Sequence, residues 1–409
     1  MVVRKEEEVK TVEVYDTGEA PLTFSYGPQH PGTGHFRMIV TVSGDTLIDA
    51  QPDPGFVHRG EEKMCEYKTW ITNIPHIERP VILDSAGIQY PYVLAVEKLM
   101  GVEPPERAKY LRTIMAELNR IGSHLYWFAL YGVFLGHATM FLWCFGDREY
   151  LVDLVSLIGG QRITHAYFVP GGVRNDAPAH VPMGLVREFR RYYRMVTGKD
   201  LPEKQQSTEF KKYAHAVCEF FLERLNDYWD MFFNNELFIQ RTKDVGVLSE
   251  YDAIRLGVVG TTLRASGIRS DTRIDDPYDA YPYLKFEIPT GTRGDCYDRA
   301  IVGFREMQES AKIIMQALEQ MPDGPVKNKQ HPINIRVPAG EAVARAEAAR
   351  GEMLFYIRSD GSDRPYRVKI SPPSFRLIPA IAHLLRGTQI AHIPPIYWSL
   401  NYWPVEADR

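Results

Sequence analysis

Residues 121–145 read IGSHLYWFALYGVFLGHATMFLWCF and carry no formal charge. By length the run is able to cross a bilayer, which takes about 20 apolar residues of helix. It also holds Ser123, His124, His137 and three glycines, and no second stretch of this kind occurs in the chain. A segment apolar on every side is equally what the centre of a helical bundle requires. The run therefore reads as a buried helix of a soluble bundle, which is compatible with docking onto a membrane complex.

Working outward, Pro105 and Glu106 suit a first helical turn, and Leu111, Ile114, Met115, Leu118 and Ile121 follow at 3–4 spacing. Residues 210–235 predict an aromatic-rich helix. Another begins at Asp298 as N-cap, runs through Ile301, Phe304, Ile314 and Leu318, and stops at Met321-Pro322-Asp323-Gly324. Leu263 to Pro289, dense in Arg, Asp, Tyr and Pro, reads as a long ordered loop. Strand signals lie at the two ends. Met38–Val42 and Thr46–Ile48 flank Ser43-Gly44-Asp45, and Leu354–Ser359 and Tyr366–Ile370 flank Asp360-Gly361. The expected fold is α+β and mainly α, a central helical bundle with a small α/β portion formed by the N- and C-terminal parts. The expected boundaries are a flexible arm at 1–20, a strand-containing part at 21–60, the bundle at 61–330 and a second strand-containing part at 331–409.

Composition narrows the function. The chain has 409 residues, with 48 Lys plus Arg against 52 Asp plus Glu, which argues against nucleic-acid binding through bulk charge. The four cysteines, Cys65, Cys144, Cys218 and Cys296, are widely separated and form no Cys-x-x-Cys. A disulfide framework or a self-contained zinc or iron–sulfur site is not expected. Met1 to Lys10 is mostly charged and lacks the apolar core of a signal peptide. No glycine-rich dinucleotide fingerprint, Walker loop, Gly-x-Ser-x-Gly or paired-histidine helix motif is present. Nucleotide binding by this chain is unsupported, and nothing suggests a self-sufficient hydrolase or metalloenzyme.

What remains is a set of unusual strings. Gly27-Pro28-Gln29-His30-Pro31 places His30 in a rigid loop, and His58-Arg59-Gly60-Glu61-Glu62-Lys63 sets alternating charges before a helix. Leu263-Arg264-Ala265-Ser266-Gly267 puts one arginine among apolar and small residues, and Ser359-Asp360-Gly361 is most simply a turn. In their order and spacing, GPQHPGTGHFR (27–37), GFVHRGEEKMCEYKTW (55–70), YVLAVEKLMG (92–101), PPERAKYLRTIMAELNRIGSHL (104–125), GGQRITHAYFVPGGV (159–173), TLRASGIRSDTR (262–273), GDCYDRAIVGFREMQESAKII (294–314) and ARGEMLFYIRSDGSDRPYRVKISPPSF (349–375) resemble the family of the large catalytic, or 49-kilodalton, subunit of respiratory complex I. That family is related to the large subunit of nickel–iron hydrogenases.

The resemblance implies a role. In the family, this subunit packs against a small partner holding a 4Fe–4S cluster, beside other peripheral-arm and membrane-arm subunits, and a lipid quinone is reduced in the cavity between the two. The whole is a proton-translocating oxidoreductase, peripheral on the cytoplasmic side of the membrane, and this chain alone is expected to bind no cofactor and to be inert. Hydrogenase activity is excluded because its metal centre needs four thiolates. The early pair would fall near Arg79-Pro80-Val81-Ile82-Leu83 and the late pair near Asn401-Tyr402-Trp403-Pro404, and neither stretch has a cysteine.

The family's quinone ligands are a loop histidine, a tyrosine and an aspartate that pairs with the histidine. Here the loop position falls at Gly34 or His35, the tyrosine position at Ile82 and the aspartate position at Phe134, with His137 three residues on. Ile82 and Phe134 have no proton to donate. Two readings follow: His35, with His137 or His76, replaces the usual pair, or the site holds a different lipid electron carrier. His35 is the expected principal ligand and catalytic residue, with His30 as the residue bracing its loop. Arg79 matches a family arginine beside the partner's cluster, and the histidine that tracks cluster redox state falls at Thr164, next to His165. The donor is left open between NADH, reduced deazaflavin and ferredoxin, and the acceptor between a quinone and a phenazine. A structural subunit that has lost catalysis is the alternative from another class.

Overall fold

Gly136 divides the uncharged run. It sits at φ 84°, a left-handed conformation that a side chain disfavours, between helices Glu106–Phe134 and Ala138–Gly159. The expected single helix is therefore the corner of an antiparallel pair. Its second half is not all core, since Val133 and Leu142 are exposed. The computed structural model describes residues 20–30, 32–81, 83–328 and 335–409. The expected arm therefore lies, but for its last residue, outside the described residues, as does Ile82.

The hairpin packs with helix Cys296–Gln320, which in turn packs on Phe210–Tyr228. Gly303 permits the close approach, because a Cβ there would meet Trp127 Cζ3 at 2.4 Å. Phe210–Tyr228 continues as a π-helical turn, Trp229–Phe233. The N-cap of Cys296–Gln320 is Asp295 rather than Asp298: the Asp295 side chain accepts from Asp298 N at 2.7 Å, while Asp298 Oδ2 accepts from Thr292 N and Arg293 N. The segment 263–289 contains the short helix Thr272–Asp275 and a 3-10 turn, Tyr281–Tyr283, and it runs deep in the protein.

Both ends are antiparallel sheets. Strands β1 (Leu22–Tyr26), β2 (Arg37–Ser43) and β3 (Thr46–Asp53) form one meander, with Met38, Val40 and Val42 facing the core in alternation. A two-stranded ribbon, β4 (Phe168–Val169) with β5 (Gly172–Val173), lies within the helical part. Strands β6 (Gly340–Ala348), β7 (Gly351–Ser359) and β8 (Arg367–Ser371) form the second meander, with Met353, Phe355 and Ile357 buried. The two ends meet. Helix Pro373–Leu385 packs on β3, Leu47 N donates to Thr388 O at 2.7 Å, and Gly387 N donates back to Leu47 O at 2.8 Å. The fold is α+β and mainly helical, as expected, with a small antiparallel sheet at each end.

Candidate functional site

The loop between β1 and β2 is held from inside and from behind. Gly27 adopts φ 93°, and a Cβ there would meet Phe36 O at 2.2 Å, so the turn requires glycine. His30 Nδ1 accepts from Gly32 N at 3.0 Å and its ring lies 4.3 Å from that of Tyr26, while Thr33 donates its N–H and hydroxyl to His30 O. His30 is thus a brace. Behind the loop, Tyr397 donates its hydroxyl to Thr33 O at 3.0 Å and Trp398 donates its indole N–H to Gly32 O at 2.9 Å. Phe36 is buried between the rings of Tyr397 and Tyr402. His35, between the exposed Gly34 and this anchor, is exposed, and its imidazole enters no hydrogen bond or ion pair among the described residues.

Phe134 stacks face to face on Trp398, with centroids 4.5 Å apart and 9° between planes. The Trp398 ring therefore connects Phe134, which stands where the resemblance expects the aspartate, to the loop. His137 caps Ala138–Gly159 with its backbone and meets the Phe232 ring edge-on at 4.7 Å. His76 Nε2 lies 2.6 Å from Glu61 Oε2, and Glu61, itself buried, also faces Arg59 at 3.1 Å. No hydrogen bond, ion pair or ring contact among the described residues joins His76 or His137 to the loop. In the HRGEEK string His58, Arg59 and Lys63 are exposed, while Glu62 accepts from Ile370 N and pairs with Lys369 and Arg409, clamping the N-terminal part to β8 and the chain's end. A cavity of about 430 Å³ opens at this clamp, lined by His58, Glu62, Arg367, Phe375 and Arg409 among others.

The residues expected to face a partner's cluster lie on a second stretch. Arg79 is exposed at the start of the 3-10 turn Arg79–Val81, and Pro80 O accepts the indole N–H of Trp403 at 3.1 Å. Thr164 is half-buried at φ 49°. His165 turns inward, with Asn119 Nδ2 at 3.2 Å and Ser85 Oγ at 3.4 Å from its ring. Burial, with help from the charge of Arg174, lowers its pKa to about 4, so it is neutral at pH 7. Glu78, next to Arg79, is fully buried, and burial pushes its carboxyl up to about 7 against the opposing pull of the Ala166 N–H, Arg79 and Gln89. Sequence reasoning missed Glu78, whose setting depends on Ala166 from a distant segment.

Beneath the site lies a chain of buried charges. His124 Nε2 is 2.9 Å from Glu306 Oε2, Arg264 bridges Glu306 and Glu347 at 2.7 Å each, and Arg273 joins Asp271 at 2.6 Å to Glu117 at 3.2 Å. Glu117 also accepts from Arg120, Tyr281 and Ser310. The arginines hold the Glu306 and Glu117 carboxyls at about 2 despite complete burial. This network uses His124, from the uncharged run, and Arg264, the arginine set among apolar and small residues.

Among the described residues no group of three or more His, Cys, Asp or Glu is placed to hold a metal, and no helix is long and apolar enough to cross a membrane. All four cysteines are free and buried. The family profile described as the 49 Kd subunit of respiratory-chain NADH dehydrogenase matches residues 135–200, 191–336 and 332–409. An NADH-quinone oxidoreductase subunit of Desulforamulus reducens is 39% identical, over 93% of this chain and 96% of its own length. An F(420)H(2) dehydrogenase subunit of Methanosarcina mazei is 38% identical, over 94% and 96%. Among solved structures, a chain of the membrane-bound sulfane sulfur reductase, an archaeal respiratory membrane complex, matches with TM-score 0.85 and 33% identity, over 97% of this chain and 100% of that one. The protein belongs to the 49-kilodalton subunit family of respiratory-chain NADH dehydrogenase.

Proposed function

We propose that this chain forms, with a small iron–sulfur partner, the cavity in which a lipid quinone takes electrons from the partner's 4Fe–4S cluster. The observation that carries the reading is the braced loop: His35 is exposed, with no hydrogen bond or ion pair of its imidazole among the described residues, on a turn where His30 and Thr33 are engaged in bracing the backbone. An imidazole ring nitrogen can donate a hydrogen bond to a quinone carbonyl oxygen, which is the contact this step needs. Arg79, exposed beside buried Glu78, is a fixed positive charge suited to stabilising a reduced, more negative cluster.

The chain supplies no electron input of its own. The donor comes from neighbouring subunits, and relatives named for NADH and for F(420)H(2) match almost equally well. In this reading the complex translocates protons, sits on the cytoplasmic face of the membrane, and retains this subunit through integral partners, so that chaotropes release it without detergent.

The test is electron transfer in the purified complex, with NADH, reduced deazaflavin or reduced ferredoxin as donor and a short-chain quinone as acceptor. Quinone-dependent oxidation of the cluster is the expected result, with the isolated folded chain inert and free of iron, nickel and flavin. A complex that reduces inorganic polysulfide and no quinone, or stoichiometric metal in the isolated chain, contradicts the proposal.

A further inference from the structure

Arg350 is only 3% exposed, and among the described residues neither its Nε nor its Nη1 has a hydrogen-bond partner. The most deeply buried arginines are engaged: Arg112, Arg120 and Arg264 bond to carboxylates and to backbone carbonyls, Arg273 to carboxylates and Arg299 to backbone carbonyls. A buried guanidinium short of partners is destabilising, so such a group is retained where something else completes it.

Its surroundings say what. The guanidinium lies over the Trp403 ring, 5.7 Å from the centroid. Trp403 meets Tyr126 edge-on at 5.8 Å, Tyr126 meets Phe145 at 5.7 Å, and Phe145 lies against Phe141 at 4.6 Å. All four rings are half-buried and follow one another in contact, with the Arg350 guanidinium over the Trp403 end of the row. Glu406, whose carboxyl pKa burial raises and the nearby Arg350 charge pulls back down, gives one carboxylate oxygen to Ser374, and its Oε1 has no hydrogen-bond partner among the described residues. The row adjoins the loop of His35, because Tyr402, next to Trp403, packs on Phe36.

Resting on the quinone reading, we infer that Arg350 is the second protein ligand of the headgroup, donating from Nε and Nη1 to the carbonyl oxygen not held by His35. A flat quinoid ring suits a row of aromatic rings. A guanidinium donates to a carbonyl oxygen in a fixed fork and stabilises the negative charge that grows there as electrons arrive. It keeps its own proton, so Arg350 is an electrostatic ligand and the proton comes from another group. This assignment supplies the donor that Ile82 and Phe134 cannot.

The experiment uses the assembled complex with Arg350→Gln and Arg350→Lys, a short-chain benzoquinone as probe, and the cluster's electron paramagnetic resonance signal as a control on assembly and electron input. Arg350→Gln is expected to lower kcat/KM for quinone by about 10²-fold, with the reduced-cluster signal unchanged. Arg350→Lys recovers part of the loss, since it keeps the charge without the fork. Both variants matching wild type overturns the Arg350 assignment alone. If the glutamine variant does not assemble, the lysine variant decides: a tenfold loss with a raised KM and an intact cluster signal supports the assignment, and wild-type kinetics overturns it. A wild-type complex that reduces no quinone overturns the quinone reading and this assignment with it.

Discussion

Trp403 donates its indole N–H to the carbonyl oxygen of Pro80 at 3.1 Å. These two residues belong to the two stretches where the resemblance leads one to expect the thiolate pairs of the related hydrogenases, and the fold brings the two stretches into contact although no cysteine stands in either. The junction is filled by an indole and closed by a hydrogen bond. Trp403→Phe keeps the ring and removes the donor, and it is expected to cost about 1 kcal/mol of stability, read as a fall in the urea midpoint. A larger effect on quinone turnover than on stability would place the indole in the electron-accepting site as well.

Arg264 is the hinge of the buried network, bonded to Glu306 at 2.8 Å and to Glu347 at 2.7 Å. Removing one partner of a buried pair leaves an uncompensated charge, so Arg264→Met is expected to destabilise the protein by about 3–5 kcal/mol. Chemical denaturation of the isolated chain measures this. A loss under about 1 kcal/mol would mean that the network is hydrated or protonated rather than paired.

Glu78 carries the opposite signature. Its folded-state carboxyl is raised to about 7 from an ordinary 4.5, by burial first. The folded state therefore binds the proton more tightly than the unfolded chain. The stability it contributes is complete below the unfolded value of 4.5 and is lost as pH rises to about 7. Glu78→Gln is expected to raise stability at pH 8 by about 1–3 kcal/mol and to change little at pH 4. Equal effects at both pH values would rule out a titrating carboxyl as the cause.

His165 titrates low, at about 4, because burial and Arg174 disfavour its charged form. The unfolded chain takes up a proton near 6.5 that the folded chain refuses, so stability falls as pH drops from 6.5 towards 4. His165→Gln should flatten that limb of the acid-denaturation profile. An unchanged limb would show that His165 stays exposed to solvent in the folded protein.

Much of this was legible from residues alone. Pro105-Glu106 and the apolar spacing after them marked the start of Glu106–Phe134, and Asp360-Gly361 marked the turn between β7 and β8. The break at Gly136 was not, since an isolated glycine in an apolar run looks the same whether the chain turns there or continues. The cap expected at Asp298 falls three residues earlier, at Asp295, which the local sequence does not distinguish and the backbone does. The loop histidines stood out because their neighbours are few and local. The buried network and the open guanidinium of Arg350 did not, because partners 42 and 83 residues away from Arg264 in sequence are assembled only by the tertiary fold.

The most direct test reduces the cluster in the assembled complex, adds a short-chain quinone, and follows cluster reoxidation in wild type and in His35→Ala. The quinone reading predicts rapid reoxidation in wild type and loss or severe slowing in the variant, with the reduced-cluster signal equal in both before quinone is added. Reoxidation at the wild-type rate in His35→Ala contradicts His35 as the headgroup ligand and moves attention to His76 and His137.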